Sequence, residues 1–386
     1  MAAGRRGNGE GSIYYSEKLN RWVGQFTAGV KTNGTPNRKS VYGKTRKEVA
    51  EKITKALNEI KEHTYIETND TPLIDIIWNT INDKHNANIT SATTYKRDCM
   101  TYNIIKEASF SHKPICKITE NDLKEFLLST KRYANSSIDK IYRFLNNAFE
   151  QAINKRYIYS NPLKNIIKPK SDVPTKKVEA LTIQQEVKLA EILNTVERYH
   201  PYRNIIVLML LTGMRVGEIL SLDVRRDIDL KNSEININVT LTRDINDKVI
   251  LGKQGKTENA TRTVKMIPKV KSIIESILEN WKSNKHSLLF WDYADDTFVT
   301  PSEINCYLKR IAKKYNIIDH IHTHMLRHTY ATRCIESGMS AVVLSKKLGH
   351  KDISVTLNTY TSVFAKYEDT QDDRYIGYLE LNSIDF

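Results

Sequence analysis

Ten residues near the middle of the chain, Lys168-Pro-Lys-Ser-Asp-Val-Pro-Thr-Lys-Lys177, hold two prolines, four lysines and almost nothing apolar. Such a segment has no face to bury, and its prolines cannot donate to a helix or sheet, so residues 166–178 read as an interdomain linker. The 386 residues are therefore expected to fold as separate units, and the usual domain size of about 100 to 200 residues gives two or three.

Before the linker the hydrophobic period changes once. Residues 12 to 42 alternate short β-prone runs, Ser12-Ile-Tyr-Tyr, Arg21-Trp-Val-Gly-Gln-Phe-Thr and Arg38-Lys-Ser-Val-Tyr, with turn residues at Leu19-Asn20 and Asn33-Gly34-Thr35-Pro36. Three strands are expected. Thr45 then suits an N-cap, with Glu48 completing a capping box, for a helix to about Lys61 with Val49, Ile53, Leu57 and Ile60 at helical spacing. A sheet presenting Tyr14, Arg21, Gln25, Arg38 and Lys39 could lie in a DNA groove, because a β-ribbon fits the major groove and basic side chains find phosphates beside it. Alternatively, Trp22, Val23, Phe26 and Tyr42 are the core of a tiny domain whose charges form a solvated face.

From Thr71 to about Asn161 the pattern is helical, with helices expected near 72–85, 91–108, 119–131 and 136–156, and Asn161-Pro162 closing the set. The last helix carries Lys140, Arg143, Lys155 and Arg156 beside Ile141, Phe144, Leu145, Phe149 and Ile153, an amphipathic arrangement that suits a duplex clamp and equally a plain helical bundle. Beyond the linker helices predominate again, interrupted by β-prone stretches at 234–241, 248–251 and 261–267. The expected class is multidomain and mainly α with small β-sheets.

Charge narrows the partner. Lysines and arginines outnumber acids 59 to 45, a net +14, and residues 1–66 hold 13 basic against 6 acidic side chains, about half of that excess. A polyanion, nucleic acid first, is the natural expectation. Cys99, Cys116, Cys306 and Cys334 lie far apart with no C-x-x-C spacing, which argues against a zinc site or a disulfide framework and suits a reducing cytoplasm. No signal peptide is read at the start, and the longest purely apolar run, Ile205 to Leu211, is far short of a membrane span. The expectation is a soluble, cytoplasmic, nucleoid-associated protein with no membrane partner.

Four segments beyond the linker carry chemistry. The apolar run Asn204 to Leu211 leads into Thr212-Gly-Met-Arg-Val-Gly-Glu-Ile-Leu220, where Gly213 and Gly217 permit a turn and close backbone approach. Arg215 there suits a phosphate, with Glu218 to orient it, though a structural Arg-Glu ion pair explains the segment nearly as well. In His322-Thr-His-Met-Leu-Arg-His-Thr-Tyr-Ala-Thr332, His324 and Arg327 are one helical turn apart and share a face, so they can grip one phosphate. His322 and His324 have no acidic or cysteine partner nearby at ligand spacing, so no metal site is expected. Then come Lys347-Leu-Gly-His350 and Asn358-Thr-Tyr360-Thr, the tyrosine being one of twenty.

These blocks in this order, Thr-Gly-Met-Arg-x-Gly-Glu, His-x-x-Arg-His-Thr, Leu-Gly-His and Thr-Tyr-Thr across about 150 residues, resemble the tyrosine recombinase or phage integrase family. The resemblance implies that Arg215 and Arg327 are the two family arginines, His324 the H-x-x-R histidine, His350 the later histidine or tryptophan position, Tyr360 the nucleophile and Glu218 the supporting acid. The family's hairpin lysine falls in Gly252 to Val264, where Lys256, six residues before Arg262, fits better than Lys253, which stays open because hairpin lengths vary. The N-terminal segment is similar to the arm-site-binding domain of integrases from phages and conjugative transposons, and residues 71–165 to the family's helical core-binding domain. The division implied is 1–66 for arm-type DNA, 71–165 for core DNA, the linker, and 179–386 for catalysis with a C-terminal tail. About 25 residues follow Tyr360, including Glu368, Asp369, Asp372 and Asp373, and in relatives such tails pack on a neighbouring protomer.

These residue types suit the reaction so implied, in which DNA is cut through a 3′-phosphotyrosine and rejoined. A phenol with a pKa near 10 is ionised in only about one copy in a thousand at neutral pH, so attack on phosphorus needs help. Arg215 and Arg327 would hold the nonbridging oxygens, and Lys256 would protonate the departing 5′ oxygen. His324 accepts the tyrosine proton or holds the phosphate, and His350 gives a further hydrogen bond. The linkage conserves the phosphodiester energy, so neither ATP, divalent metal nor another cofactor is expected. Four protomers on two duplexes, with accessory directionality or bending proteins, are the implied assembly. A type IB topoisomerase shares the chemistry, and a binding regulator could share the fold without it.

Overall fold

In the computed structural model the described residues are 11–30, 34–61, 70–174, 179–252, 261–366, 375–377 and 380–381. The chain divides into two compact units, Met1–Thr175 and Lys176–Phe386. It is mainly helical with small antiparallel sheets.

The first unit opens with β1 (Ser12–Ser16), β2 (Arg21–Val30) and β3 (Pro36–Gly43), an antiparallel sheet in that order. Cross-strand partners share a face and neighbours along a strand alternate. The register Tyr14↔Val23↔Tyr42, with Gln25↔Ser40 and Thr27↔Arg38, therefore puts Tyr14, Arg21, Gln25, Arg38 and Tyr42 on one face. Lys39 pairs with Phe26 on the opposite face, which packs on α1 (Arg46–Lys61) through Phe26, Val49, Ile53 and Ala56. Gly24 is required there, since a Cβ would lie 2.5 Å from Val49 Cγ1. Thr45 caps α1 by accepting from the Glu48 amide at 3.2 Å, while Glu48 Oε2 accepts from Lys44 N at 2.8 Å, one residue earlier than a capping box would have it.

Four helices follow where the periodicity puts them: α2 (Leu73–Asn86), α3 (Ala92–Lys106), α4 (Glu120–Ser129) and α5 (Asn135–Asn154). Leu73, Ile77 and Ile81 of α2 join Ile141, Leu145 and Phe149 of α5 in one buried core. Each such side chain stabilises the unit by about 2 kcal/mol through removal from water. On α5, Lys140 is engaged by Asp98 of α3 at 2.8 Å, while Arg143 and Lys155, the residue that follows the helix, are exposed. Asn161 is buried and fixes the turn after α5, donating to Asn146 Oδ1 and Glu150 Oε1 and accepting from Leu163 N. The first half of the expected linker is fastened to this unit: Ser171 N donates to Asn135 Oδ1 at 2.9 Å, Asp172 N to Lys131 O at 2.9 Å, and Lys168 pairs with Asp139.

The second unit is built around α7 (Arg203–Thr212), which buries Ile205, Ile206, Leu208 and Met209. Packed in the same core are α6 (Ile183–Asn194), α9 (Pro268–Glu279), α10 (Pro301–Lys314) and the start of α11 (Thr323–Glu336). α8 (Val216–Ile219) is a single turn after α7. The β-prone stretches become two sheets: β4 (Ile228–Asp229), β5 (Glu234–Ile237) and β8 (Arg262–Lys265) form one, and β6 (Leu241–Arg243) pairs with β7 (Val249–Leu251) in the other. The expected strand over 234–241 thus breaks after Ile237. A smaller cluster of Ala331, Cys334, Ile335, Leu344, Leu348 and Tyr360 unites α11, α12 (Ala341–Leu348) and α13 (Ile353–Lys366). Among the described residues no helix is long and apolar enough to cross a membrane.

Candidate active site

The site starts where α7 must stop. Gly213 adopts φ +65°, and a Cβ there would lie 2.3 Å from the Tyr330 ring, so only glycine lets the chain turn against α11. Two residues later Arg215 precedes α8, its backbone N–H donating to Glu218 Oε2 and its Nη1 to Oε1, both at 2.8 Å. Glu218 is buried and accepts a second guanidinium in bidentate fashion, from Arg262 of β8 at 3.0 and 2.7 Å. Burial pushes its carboxyl up, but Arg262 and then Arg215 prevail and hold it at about 2. Arg262 also donates to Lys347 O at 3.1 Å, tying β8 to the end of α12.

Arg327 is only 2% exposed. Its guanidinium donates to Gly213 O at 2.8 Å and Leu348 O at 2.6 Å and lies 3.2 Å from His350 Nε2. Burial, then the neighbouring Arg215, lowers its pKa to about 9. A guanidinium has no acceptor, so His350 Nε2 accepts here and Nδ1–H donates to Thr356 Oγ1 at 2.7 Å. Burial and the charges of Arg327, Arg215 and Arg262 bring His350 down to about 4, in keeping with that neutral tautomer. Gly349, with φ +68°, places His350 after α12, and a Cβ on it would press within 2.9 Å of the Arg262 guanidinium.

His324, Arg327 and His328 lie on one face of α11. The His324 ring stands edge-on to His328 with centroids 4.5 Å apart, and its pKa is lowered by partial burial, then by Arg327 and Arg215. Tyr360 is buried in α13 at a kink where its own backbone, φ −117° and ψ 18°, leaves the helix. Its hydroxyl sits 2.7 Å from His328 Nδ1. Burial raises the phenol to about 12, against the pull of Arg327.

Arg215, Glu218, His324, Arg327, His350 and Tyr360 are thus gathered in one place from the start of α8, from α11, from the turn after α12 and from α13. Lys256 and Lys253 lie outside the described residues, as do Glu368, Asp369, Asp372 and Asp373 of the tail. Among the described residues, the strands before and after 253–260 belong to different sheets, since β7 pairs with β6 and β8 with β5.

Residues 179–366 match the phage integrase family. The chain is 30% identical to the transposase of transposon Tn916 from Enterococcus faecalis over 67% of its own length and 66% of that protein's. The chain belongs to the phage integrase family of tyrosine recombinases. It spans about two thirds of that transposase, and it is also 27% identical to a XerC-like tyrosine recombinase of Caldanaerobacter subterraneus, covering 88% of this chain and 92% of that one. Its fold is that of the Tn1549 transposon integrase solved with a circular intermediate DNA, with a TM-score of 0.68, 24% identity, and coverage of 78% of this chain and 99% of the other.

Within this integrase-family fold, the site holds two neighbours, His328 and Arg262, to which the sequence alone assigns no role. His328 stands in the His-x-x-Arg-His-Thr block, four residues after His324 and so on its face, a signal open to helical spacing. In the sequence Arg262 serves only as a spacing marker for Lys256. Its partnership with Glu218 crosses 44 residues, and nothing local announces it.

Proposed function

We propose that this protein is a site-specific recombinase that integrates and excises a mobile element by cutting and rejoining DNA through a 3′-phosphotyrosine on Tyr360. The observation that carries the reading is the convergence of Arg215, Arg327, two histidines and a buried tyrosine hydroxyl within one small site. Arg215, half-exposed beside its carboxylate, and Arg327, fixed by two carbonyls, grip the nonbridging oxygens as charge grows on them. Tyr360 attacks phosphorus and Lys256 protonates the leaving 5′ oxygen. The phosphotyrosine keeps the energy of the broken bond, so rejoining by the 5′ hydroxyl needs neither ATP nor a divalent metal. His324 contributes to holding the phosphate, and His350, which accepts from Arg327 before DNA arrives, orients that arginine.

Residues 1–66 serve arm-type sites, 71–165 hold the core site, and 179–386 perform the chemistry, in a tetramer on two duplexes with accessory bending or directionality proteins. On the N-terminal sheet the DNA-facing set is Tyr14, Arg21, Gln25 and Arg38, which share the face away from α1; Lys39 lies on the other. Of the α5 cations, Arg143 and Lys155 suit phosphate contacts better than Lys140, which Asp98 already holds. A type IB topoisomerase is disfavoured because the relatives are transposases and recombinases.

The test incubates wild type and Tyr360→Phe with element-end DNA nicked just 3′ of the cleavage position, with EDTA in excess, and reads a denaturing gel. A covalent adduct from the wild type alone is expected. An adduct from both proteins moves the nucleophile elsewhere, and cleavage that stops in EDTA and resumes with magnesium overturns the metal-free mechanism.

A further inference from the structure

We propose that His328 is the general base of this site, taking the proton from Tyr360 as the hydroxyl attacks. The inference rests on the recombinase reading and on Tyr360 as nucleophile. What carries it is position. The Tyr360 hydroxyl is 2.7 Å from His328 Nδ1, within the range for direct proton transfer, with the two rings inclined at 62° and centroids 5.7 Å apart. His324 meets His328 ring to ring at 4.5 Å instead. Because 324, 327 and 328 share a helix face, one turn of α11 supplies both a phosphate-gripping guanidinium and the proton acceptor beside it.

The protons balance over the two half-reactions, with Lys256 taken as the acid of the recombinase reading. Tyr360 Oη forms its bond to phosphorus while the Oη–H bond breaks and the proton passes to His328 Nδ1. The bond from phosphorus to the 5′ oxygen breaks, and that oxygen leaves as a hydroxyl with a proton from the ammonium of Lys256. On rejoining, the 5′ hydroxyl attacks, its proton returns to the lysine, and His328 gives its proton back to Oη.

The surroundings make this base depend on substrate. His328 is faced by His324 and Arg327 of its own helix, by His322 that caps it, by His350 after α12 and by Tyr360 of α13; burial and then these cationic or ionisable neighbours hold it at about 4, with the phenol at about 12. Both shifts disfavour transfer, so the resting tyrosine stays protonated. A phosphodiester seated between Arg215 and Arg327 brings negative charge among the same cations, which favours the imidazolium and brings the two groups closer in proton affinity. The nucleophile is thereby activated only where DNA is bound.

The experiment uses the full-length protein and the nicked DNA in EDTA, with wild type, His328→Asn and Tyr360→Phe, each histidine form prepared also with a fluorinated, more acidic tyrosine at position 360. Cleavage by His328→Asn is expected to be about 10²- to 10⁴-fold slower with DNA binding unchanged. Fluorination should recover about tenfold or more in the variant and little in the wild type, because a more acidic phenol needs less help; a purely structural histidine would not produce that difference. His328→Gln is read in place of the asparagine variant if the latter melts well below wild type. Cleavage by the variant within about threefold of wild type, or an equal fluorine effect in both, overturns the proposal while leaving the recombinase reading intact. No adduct from the wild type, or an adduct from Tyr360→Phe, overturns the reading beneath it.

Discussion

The arginines of the N-terminal sheet and those of the candidate active site do opposite things with the same side chain. Arg21 and Arg38 are exposed on the sheet face away from α1, in water, where a charge is cheap to keep and easily screened. Arg327 is 2% exposed, its pKa depressed to about 9, with Arg262 and Arg215 close by around one carboxylate. A fold keeps such a costly arrangement only where something else repays it, and a phosphate is the group that would. Exposed arginines can add affinity for any duplex; a buried, preorganised one can stabilise charge that appears only during the reaction.

The largest effect should separate the two sets. Arg327→Lys keeps a charge but cannot reach both Gly213 O and Leu348 O, and cleavage of nicked DNA should fall by about 10²- to 10³-fold while equilibrium binding changes by only a few fold. A variant that loses binding and cleavage in equal measure would erase the distinction drawn here.

Next in size is the carboxylate between the arginines. Glu218→Gln leaves the largely buried Arg262 and the half-exposed Arg215 without their counter-charge, and urea denaturation followed at the second unit should show a loss of about 3 kcal/mol. A loss under about 1 kcal/mol would mean that the pair behaves like an exposed one.

The histidines offer a finer probe. His328 and His350 are held at about 4 against an ordinary 6.5, so the unfolded chain takes up protons first as pH falls. Stability of the second unit should therefore decline from about pH 6.5 towards 4, with the Glu218 contribution lost separately between about 4.5 and 2. His350→Gln should flatten the upper window in thermal melts taken across pH. An unchanged slope would show that His350 is not held neutral by these neighbours.

Sequence made the helices and the three-stranded sheet legible, and it named six residues that the fold brings together in the candidate site, because each depends on local period, caps or one of four ordered blocks. Contacts set by packing at long range were not. The link from Arg262 through Glu218 to Arg215 joins a strand to a turn, and the kink at Tyr360 has no glycine or proline to mark it. Lys39 is a different case: adjacent residues of a strand point to opposite faces, so Arg38 and Lys39 do not share one face of the sheet. The two units part between residues 175 and 176, inside the proline- and lysine-rich run, yet Ser171 and Asp172 show that such a run can still be hydrogen-bonded to the bundle before it.

The smallest effect tests the N-terminal side of the contrast. If Arg21 and Arg38 each meet one phosphate, replacing either by alanine should weaken arm-site binding a few fold and, more tellingly, reduce the slope of log affinity against log salt by about 0.9. Lys39→Ala, on the face that packs against α1, should leave that slope unchanged, so the pair of neighbouring residues serves as its own control. Cleavage of a nicked core site lacking arm sequence should be the same in all three variants, since exposed cations on this sheet contribute attraction and no chemistry. Equal slope changes for Arg38→Ala and Lys39→Ala would show that the sheet does not meet DNA by this face, and a slope untouched by any of them would return the N-terminal charges to a solvated surface.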